Sequence, residues 1–297
     1  MKHAIPVILD TDIGGDIDDT WALGMMLNSP ELNPKLVLTC TADTVYRAKL
    51  SCKLLQEAGR SGIPVGVGLR FASDGPRERQ LNWIGGYQLK DYPGVVHEDG
   101  IAAAIELIEK SDGLTIICIG PLTNIAEICR RRPDLAPKCR IVAMMGSLWR
   151  SHRGVEGATA EYNVVMDVAA ARTVFAAPWR NVTITPLDSC GTVVLRNGLY
   201  RQVIDSDKPV PRLIAENYRV WLNGNTEKWE SESSILYDTV AVYLAFADEL
   251  LEMRKLKLVI DDEGFTRIDE NGREVDTAIG WKQEAAFDKL LVSYLLA

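Results

Sequence analysis

The chain has 297 residues, with 33 basic against 41 acidic side chains and a formal net charge of −8; 47% of its residues are hydrophobic and 25% charged. That composition suits a chain able to bury a sizeable core and excludes a disordered or collagenous protein. The acidic balance repels phosphate backbones, so no nucleic-acid partner is expected: the nearest basic run, Arg130-Arg131-Arg132, is short, ends at Pro133 and reads as a solvated helix end.

No apolar stretch approaches the roughly 20 residues that span a bilayer, and Met1 leads directly into a strand-like segment without a signal-peptide core. A cytoplasmic protein without membrane partners is expected. The six cysteines form no C-x-x-C pair and several sit in apolar patterns, so they read as reduced core residues rather than zinc ligands or disulfides.

In chain order, short apolar runs rich in β-branched residues alternate with helix-period segments, the pattern of a mostly parallel sheet covered by helices. A strand at 6–9 precedes a helix at 20–27, and a strand at 36–41 precedes a helix at 45–58 that Asp43-Thr44 could cap and Gly59 could close. A strand follows at 64–67, then a helix at 101–110, a strand at 114–119 and a helix at 123–131. Beyond these come a strand at 141–145, a helix at 168–176, a strand at 182–185 and helices at 212–223 and 239–251. A strand at 256–260 leads into a β-hairpin over 261–275 centred on Asn271-Gly272, and a helix at 284–296 ends the chain. With no linker, repeat or low-complexity tract, residues 1–297 read as one α/β domain with an open, mostly parallel but mixed sheet flanked by helices. Residues 69–100, 146–161 and 187–210 resist assignment, and long irregular loops in such a domain tend to be lids or binding loops.

The sharpest feature is Asp10-Thr11-Asp12-Ile13-Gly14-Gly15-Asp16-Ile17-Asp18-Asp19, five carboxylates in ten residues directly after the first strand. The carboxyl ends of strands are where open α/β sheets bind ligands, and so many carboxylates repel one another unless a cation neutralises them. A hard, oxygen-seeking ion is implied. The plain alternative is an acidic solvated loop entering a helix N-terminus, where Asp is favourable anyway.

Residues 10–23, D-T-D-I-G-G-D-I-D-D-T-W-A-L, resemble the N-terminal signature of the inosine-uridine-preferring nucleoside hydrolases, with two extra residues before Asp18-Asp19. Ile119-Gly120-Pro121-Leu122-Thr123-Asn124 resembles that family's second metal loop. Met145-Gly146 with Glu161-Tyr162-Asn163 resembles its sugar-binding segment, and Tyr237-Asp238-Thr239-Val240-Ala241 its H-D-x-x-A. The resemblance implies a Rossmann-like nucleoside hydrolase fold, a homodimer or homotetramer, and Ca²⁺-dependent cleavage of the N-glycosidic bond of a small-molecule ribonucleoside. It assigns the Ca²⁺ to Asp12, Asp19, Asp238 and the Ile119 carbonyl, with Asp12 as general base on a water held by the ion. Asp18 is implied for the ribose hydroxyls, Glu161 and Asn163 for the far side of the sugar, and Asp43 and Met145 as further substrate contacts. A helix cap is the alternative for Glu161 and Asn163.

Two departures stand out. Asp43 replaces the family's usual Asn, and Tyr237 replaces the His that protonates the leaving base in purine-preferring members, which leaves Tyr237, His97 or His152 if loop closure brings either to the base, and a protonated Asp43 as candidates for that step. His3 reads as exposed. His152, in the 146–161 loop, is as much a surface or supporting residue as a catalytic one. Trp83, Trp149, Trp221 and Trp229 lie in or near loops; Trp149 is the strongest candidate to stack on a base, against local packing for each. Asp188-Ser189-Cys190 could line the same crevice or form a buried turn. Two other readings remain: a non-catalytic ribose or nucleoside binder, kept open by Tyr237, and a metal-dependent phosphatase of the haloacid-dehalogenase type, which the segment at Asp238 fits poorly.

Overall fold

Ten strands form one sheet among the described residues of the computed structural model, which are 4–71, 78–225, 227 and 231–297. They are β1 (Ile5–Thr11), β2 (Leu32–Thr39), β3 (Val65–Val67), β4 (Val96–His97), β5 (Leu114–Cys118), β6 (Cys139–Met144), β7 (Asn181–Thr185), β8 (Leu251–Ile260), β9 (Thr266–Ile268) and β10 (Arg273–Trp281). The spatial order is β4-β3-β2-β1-β5-β6-β7-β10-β8-β9, parallel from β4 through β10, with β8 antiparallel to both of its neighbours. The expected open, mostly parallel mixed sheet is therefore what forms.

Strand order reverses at β1, which has β2 on one side and β5 on the other. Such a switch point opens a crevice at the carboxyl ends of the two diverging strands. The acidic segment leaves β1 there, and Ile119-Gly120 leaves β5 beside it.

Because strand side chains alternate, β1 sends Val7 and Leu9 into one apolar layer and Ile8 into the other. The first layer holds the helices Asp18–Asn28, Thr44–Glu57, Pro209–Leu222, Tyr237–Leu244 and Glu284–Leu295; the second holds Gly100–Glu109, Thr123–Arg131 and Val168–Ala176. All six cysteines are buried and unpaired, as expected for core residues. The arginine run is neutralised at a helix end: Arg130 and Arg131 pair with Glu127, and Arg132 with Asp134 and Glu109. No described helix is long and apolar enough to cross a membrane.

The C-terminal third departs from expectation in two places. The helix expected over 239–251 stops at Leu244, and β8 begins at Leu251, where Trp281 pairs with it. The expected hairpin around Asn271-Gly272 does not form, because β9 and β10 flank β8 on opposite sides instead of pairing with each other. Gly272 carries the chain across β8: a Cβ there would come within 2.6 Å of the Leu258 backbone, so glycine permits the crossing. All three unassigned stretches hold short elements: β4 and a helix at Leu81–Ile84 in the first, a 3-10 turn at His152–Gly154 in the second, and helices Leu187–Cys190 and Asn197–Ile204 in the third.

Candidate active site

The acidic loop is fixed from several directions. Thr11 Oγ1 accepts from the Ile13 N–H at 3.1 Å and donates to the Asp19 carboxylate, bending the chain back onto the helix it is about to enter. Gly14 sits at φ 101°, and a Cβ there would lie 2.6 Å from the Tyr46 ring. Tyr46 Oη donates to the Gly14 carbonyl at 3.1 Å, the Arg79 N–H reaches the same carbonyl at 3.1 Å, and Trp221 Nε1 donates to Gly15 O at 3.2 Å.

From β5, Gly120 passes so close that a Cβ would lie 2.9 Å from the Asp12 nitrogen. Asn124 ties the strand ends together. Its Nδ2 donates to Asp10 Oδ1 at 2.7 Å and to Thr39 O at 3.0 Å, and its Oδ1 accepts from Leu69 N at 2.8 Å. Burial pushes the Asp10 carboxyl up to about 8, against the Asn124 hydrogen bond. Asp10 thus belongs to the frame of the site and not to its cavity.

That cavity, about 220 Å³, is lined by Asp12, Asp16, Asp18, Asp19, Asp238 and Glu161 together with Ile119, Met144, Tyr162, Asn163, Leu187, His152 and Tyr237. Asp18, Asp19 and Asp238, all buried, bring one carboxylate oxygen each within 4.8 Å of the others. Burial first, then the charges of Asp16 and Asp12 on Asp18, of Asp12 and Asp18 on Asp19, and of Asp18, Asp19 and Asp12 on Asp238, hold these three carboxyls well above the usual carboxylate range. The donors fit a hard cation, since all are oxygens; Ile119 lines the same cavity, its carbonyl 3.4 Å from Asn163 Nδ2.

One countercharge escaped the sequence reading. The Arg47 side chain is 1% exposed; its Nη2 lies 3.8 Å from Asp12 Oδ2, while Nη1 donates to Ile13 O at 2.8 Å and Nε to Thr41 O at 3.0 Å. Helical spacing could have found it, since Leu50, Ser51 and Leu54 follow it at i+3, i+4 and i+7 on the buried face, where an arginine needs partners.

On the far wall, Glu161 caps the short helix Tyr162–Val165 and also lines the cavity. Oε1 accepts from Asn163 N at 2.8 Å, and Oε2 from Gly146 N at 3.0 Å and Val164 N at 3.3 Å, so a lone pair of Oε1 is left for a hydroxyl. Burial pushes this carboxyl up to about 7 against those three hydrogen bonds. Asn163 Nδ2 donates to Met144 O at 3.0 Å, which fixes the amide and leaves its Oδ1 as an acceptor. The cap and the cavity wall are the same residues.

The structure does not bring every expected residue here. His97 lies on edge strand β4, separated from β1 by two strands. Asp43 caps the Thr44–Glu57 helix, accepting from Val45 N and Tyr46 N, and does not line the cavity. Met145 is buried behind the wall that Met144 presents. Trp149, 44% exposed, lines a separate surface depression beside Trp281. Asp188 is structural, its carboxylate accepting the N–H groups of Leu148, Trp149 and Arg150 at 2.8, 2.8 and 3.1 Å. Trp83 and Trp221 pack locally, under Lys53 and Arg79. His3 and Trp229 lie outside the described residues. His152, left open by the sequence, does line the cavity, with Nδ1 2.8 Å from Tyr237 Oη.

The family model described as inosine-uridine preferring nucleoside hydrolase matches residues 7–288. Among curated relatives, the non-specific ribonucleoside hydrolase RihC of Salmonella newport is 30% identical over 183 residues, 59% of this chain and 58% of the relative. Its Klebsiella pneumoniae counterpart is 30% identical over 179 residues, 58% of each chain. The aligned region thus spans less than two thirds of these relatives. Among solved structures, a plant nucleoside hydrolase, PpNRh1, superposes with a TM-score of 0.83 at 20% identity, covering 99% of this chain and 100% of that one. A purine-preferring ribonucleoside hydrolase from Gardnerella vaginalis gives 0.78 at 22% identity, with 98% of each chain covered. Both show the shared fold.

Proposed function

The chain belongs to the inosine-uridine preferring nucleoside hydrolase family, and from that premise we propose that it hydrolyses the N-glycosidic bond of a small-molecule ribonucleoside with a resident Ca²⁺. The observation that carries the reading is the buried Asp18, Asp19 and Asp238 triad beside Asp12 at the switch point, an oxygen-only donor set with no interior charge to balance it except Arg47 among the described residues lining or touching it.

Asp12, Asp19, Asp238 and the Ile119 carbonyl would hold the ion, which when bound supplies positive charge that neutralises the carboxylates and acidifies nearby water. Asp12 takes a proton from the attacking water as it adds to the anomeric carbon. Asp18 accepts hydrogen bonds from the ribose hydroxyls, while Glu161 and Asn163 grip the opposite side of the sugar and hold the ring against the water. The reading is of one domain working in the cytoplasm. It is tested by incubating the purified protein with inosine, uridine and p-nitrophenyl riboside, with and without Ca²⁺ after chelation. Release of ribose that depends on added Ca²⁺ supports it; no release from any of the three overturns it.

A pH dependence of metal binding follows. Asp18, Asp19 and Asp238 crowd carboxylate oxygens within 4.8 Å of one another, and burial holds all three carboxyls well above the usual range, so a cation entering here takes the place of protons. Because the three carboxyls stand above the usual range of about 4, they still hold protons on the acidic side of neutrality, and Ca²⁺ must displace them. Calorimetric Ca²⁺ affinity is expected to tighten at least about tenfold between pH 5 and pH 8, with proton release visible in buffers of different ionisation enthalpy. A flat profile without proton release would place the ion elsewhere.

A further inference from the structure

His152 and Tyr237 line the same cavity as the carboxylates. His152 Nδ1 lies 2.8 Å from Tyr237 Oη, and the two rings meet edge to face at 81°. Their arrangement is built into the loop that carries His152. The Asp188 carboxylate anchors the start of that loop, Ser151 N donates to Val155 O at 2.8 Å, and Arg153 N donates to Gly191 O at 2.8 Å. Arg153 takes up φ 59°, ψ 23°, a left-handed conformation that costs a non-glycine residue about 1–2 kcal/mol. The turn sends neighbouring side chains to different places: Arg153 pairs with Glu232 at 3.1 Å, while His152 stays exposed at the rim of the cavity.

The hydrogen bond also sets which ring nitrogen can give up a proton. Tyr237 is half-buried, and its phenol can donate as well as accept a hydrogen bond. In the imidazolium form of His152, Nδ1 donates to the phenol oxygen and Nε2 carries the second proton, the one free to leave the ring. The charged groups around the pair are Asp238, next to Tyr237 in the chain, Asp16 and Asp18 on the cavity wall, Glu161 at the end of the same loop, and Arg153 with its partner Glu232.

We infer that His152, oriented by Tyr237, protonates the departing nucleobase, an inference that rests on the N-ribohydrolase reading above. The C1′–N bond breaks and its electron pair passes to the base, whose nitrogen takes the Nε2 proton. Water bonds to C1′ through oxygen and gives its proton to Asp12, which returns it to solvent, while the imidazole left behind regains a proton from solvent to become imidazolium again, so one water is consumed for each base released. His97, two strands away from β1, has no such access.

The test compares a nucleoside, whose base needs a proton to leave, with p-nitrophenyl riboside, whose nitrophenolate leaves without one. His152→Ala should lower kcat/KM on the better of inosine and uridine by about 10²-fold, and by at least ten times more than on the aryl riboside. Tyr237→Phe, which keeps the ring and removes the hydrogen bond, should give a smaller nucleoside-selective loss. If His152→Ala does not fold, by circular dichroism and melting, His152→Gln is read in its place, since its amide hydrogen-bonds but is no acid. Equal losses on both substrates, or no loss, would overturn the inference and leave the hydrolase reading standing. So would a parent enzyme that cleaves the aryl riboside but no nucleoside. A parent enzyme that cleaves neither sinks the hydrolase reading first.

Discussion

Asp12→Asn is expected to lower kcat on a good nucleoside or aryl riboside by about 10²–10⁴-fold while leaving Ca²⁺ bound. Asn matches Asp in shape, so it keeps one side-chain oxygen for the ion and stays within reach of the Arg47 guanidinium, which stands 3.8 Å from the carboxylate. What disappears is the proton acceptor. An amide is not a base at neutral pH, so the attacking water must reach the anomeric carbon without giving up its proton in time, a barrier increase of roughly 2.7–5.5 kcal/mol. Because p-nitrophenyl riboside also needs an activated water, its hydrolysis should fall along with that of nucleosides, and this separates Asp12 from His152. Calorimetry on the same variant reports the ion independently. Near-normal turnover, or loss of Ca²⁺ altogether, would remove Asp12 from the role of base.

Much of this site was legible in the sequence because its residues are local to strand ends. Asp12, Asp18 and Asp19 follow one apolar strand within a few residues, and Ile119-Gly120 follows another, so alternating patterns alone bring two of the three contributing segments to the crevice. Asp238 lies at the start of the Tyr237–Leu244 helix, far along the chain, and only the family resemblance marked it. The illegible part depends on tertiary register. His97 and His152 both sit in irregular segments, and nothing in their local pattern says that one ends on edge strand β4 while the other turns into the cavity. Asn271-Gly272 carries a strong hairpin signal, yet β8 lies between the two strands it joins, and each pairs antiparallel with β8 instead of with the other. Local turn chemistry was correct about the turn and silent about the pairing. Asp43 carries two readings in the sequence, a cap for the helix that follows and an altered substrate contact, and the structure shows the cap, with its carboxylate on the Val45 and Tyr46 N–H groups.

Arg47→Met is expected to destabilise the protein by about 3–5 kcal/mol in the presence of a chelator, the usual cost of removing one partner from a buried ion pair. The side chain serves three acceptors at once: the Asp12 carboxylate, the Ile13 carbonyl at 2.8 Å and the Thr41 carbonyl at 3.0 Å. Methionine fills the volume but leaves two buried carbonyls without donors and a cluster of four buried carboxylates without its interior cation. Thr41 sits at φ 58°, a left-handed conformation that a threonine adopts at a cost, so the turn after β2 relies on Arg47 Nε to hold its carbonyl in place. Lysine in the same position should recover only part of the loss, because one ammonium restores the charge without the planar fork that reaches three acceptors. Saturating Ca²⁺ should shrink the deficit, since the ion supplies the positive charge that the guanidinium no longer does and binds only the folded chain. Urea unfolding of parent, Arg47→Met and Arg47→Lys, each in chelator and in Ca²⁺, reads all of these differences. A loss below about 1 kcal/mol for Arg47→Met in chelator would mean that the carboxylates stay neutral without it, and that the loop is held by Tyr46, Arg79 and Trp221 on Gly14 and Gly15 alone.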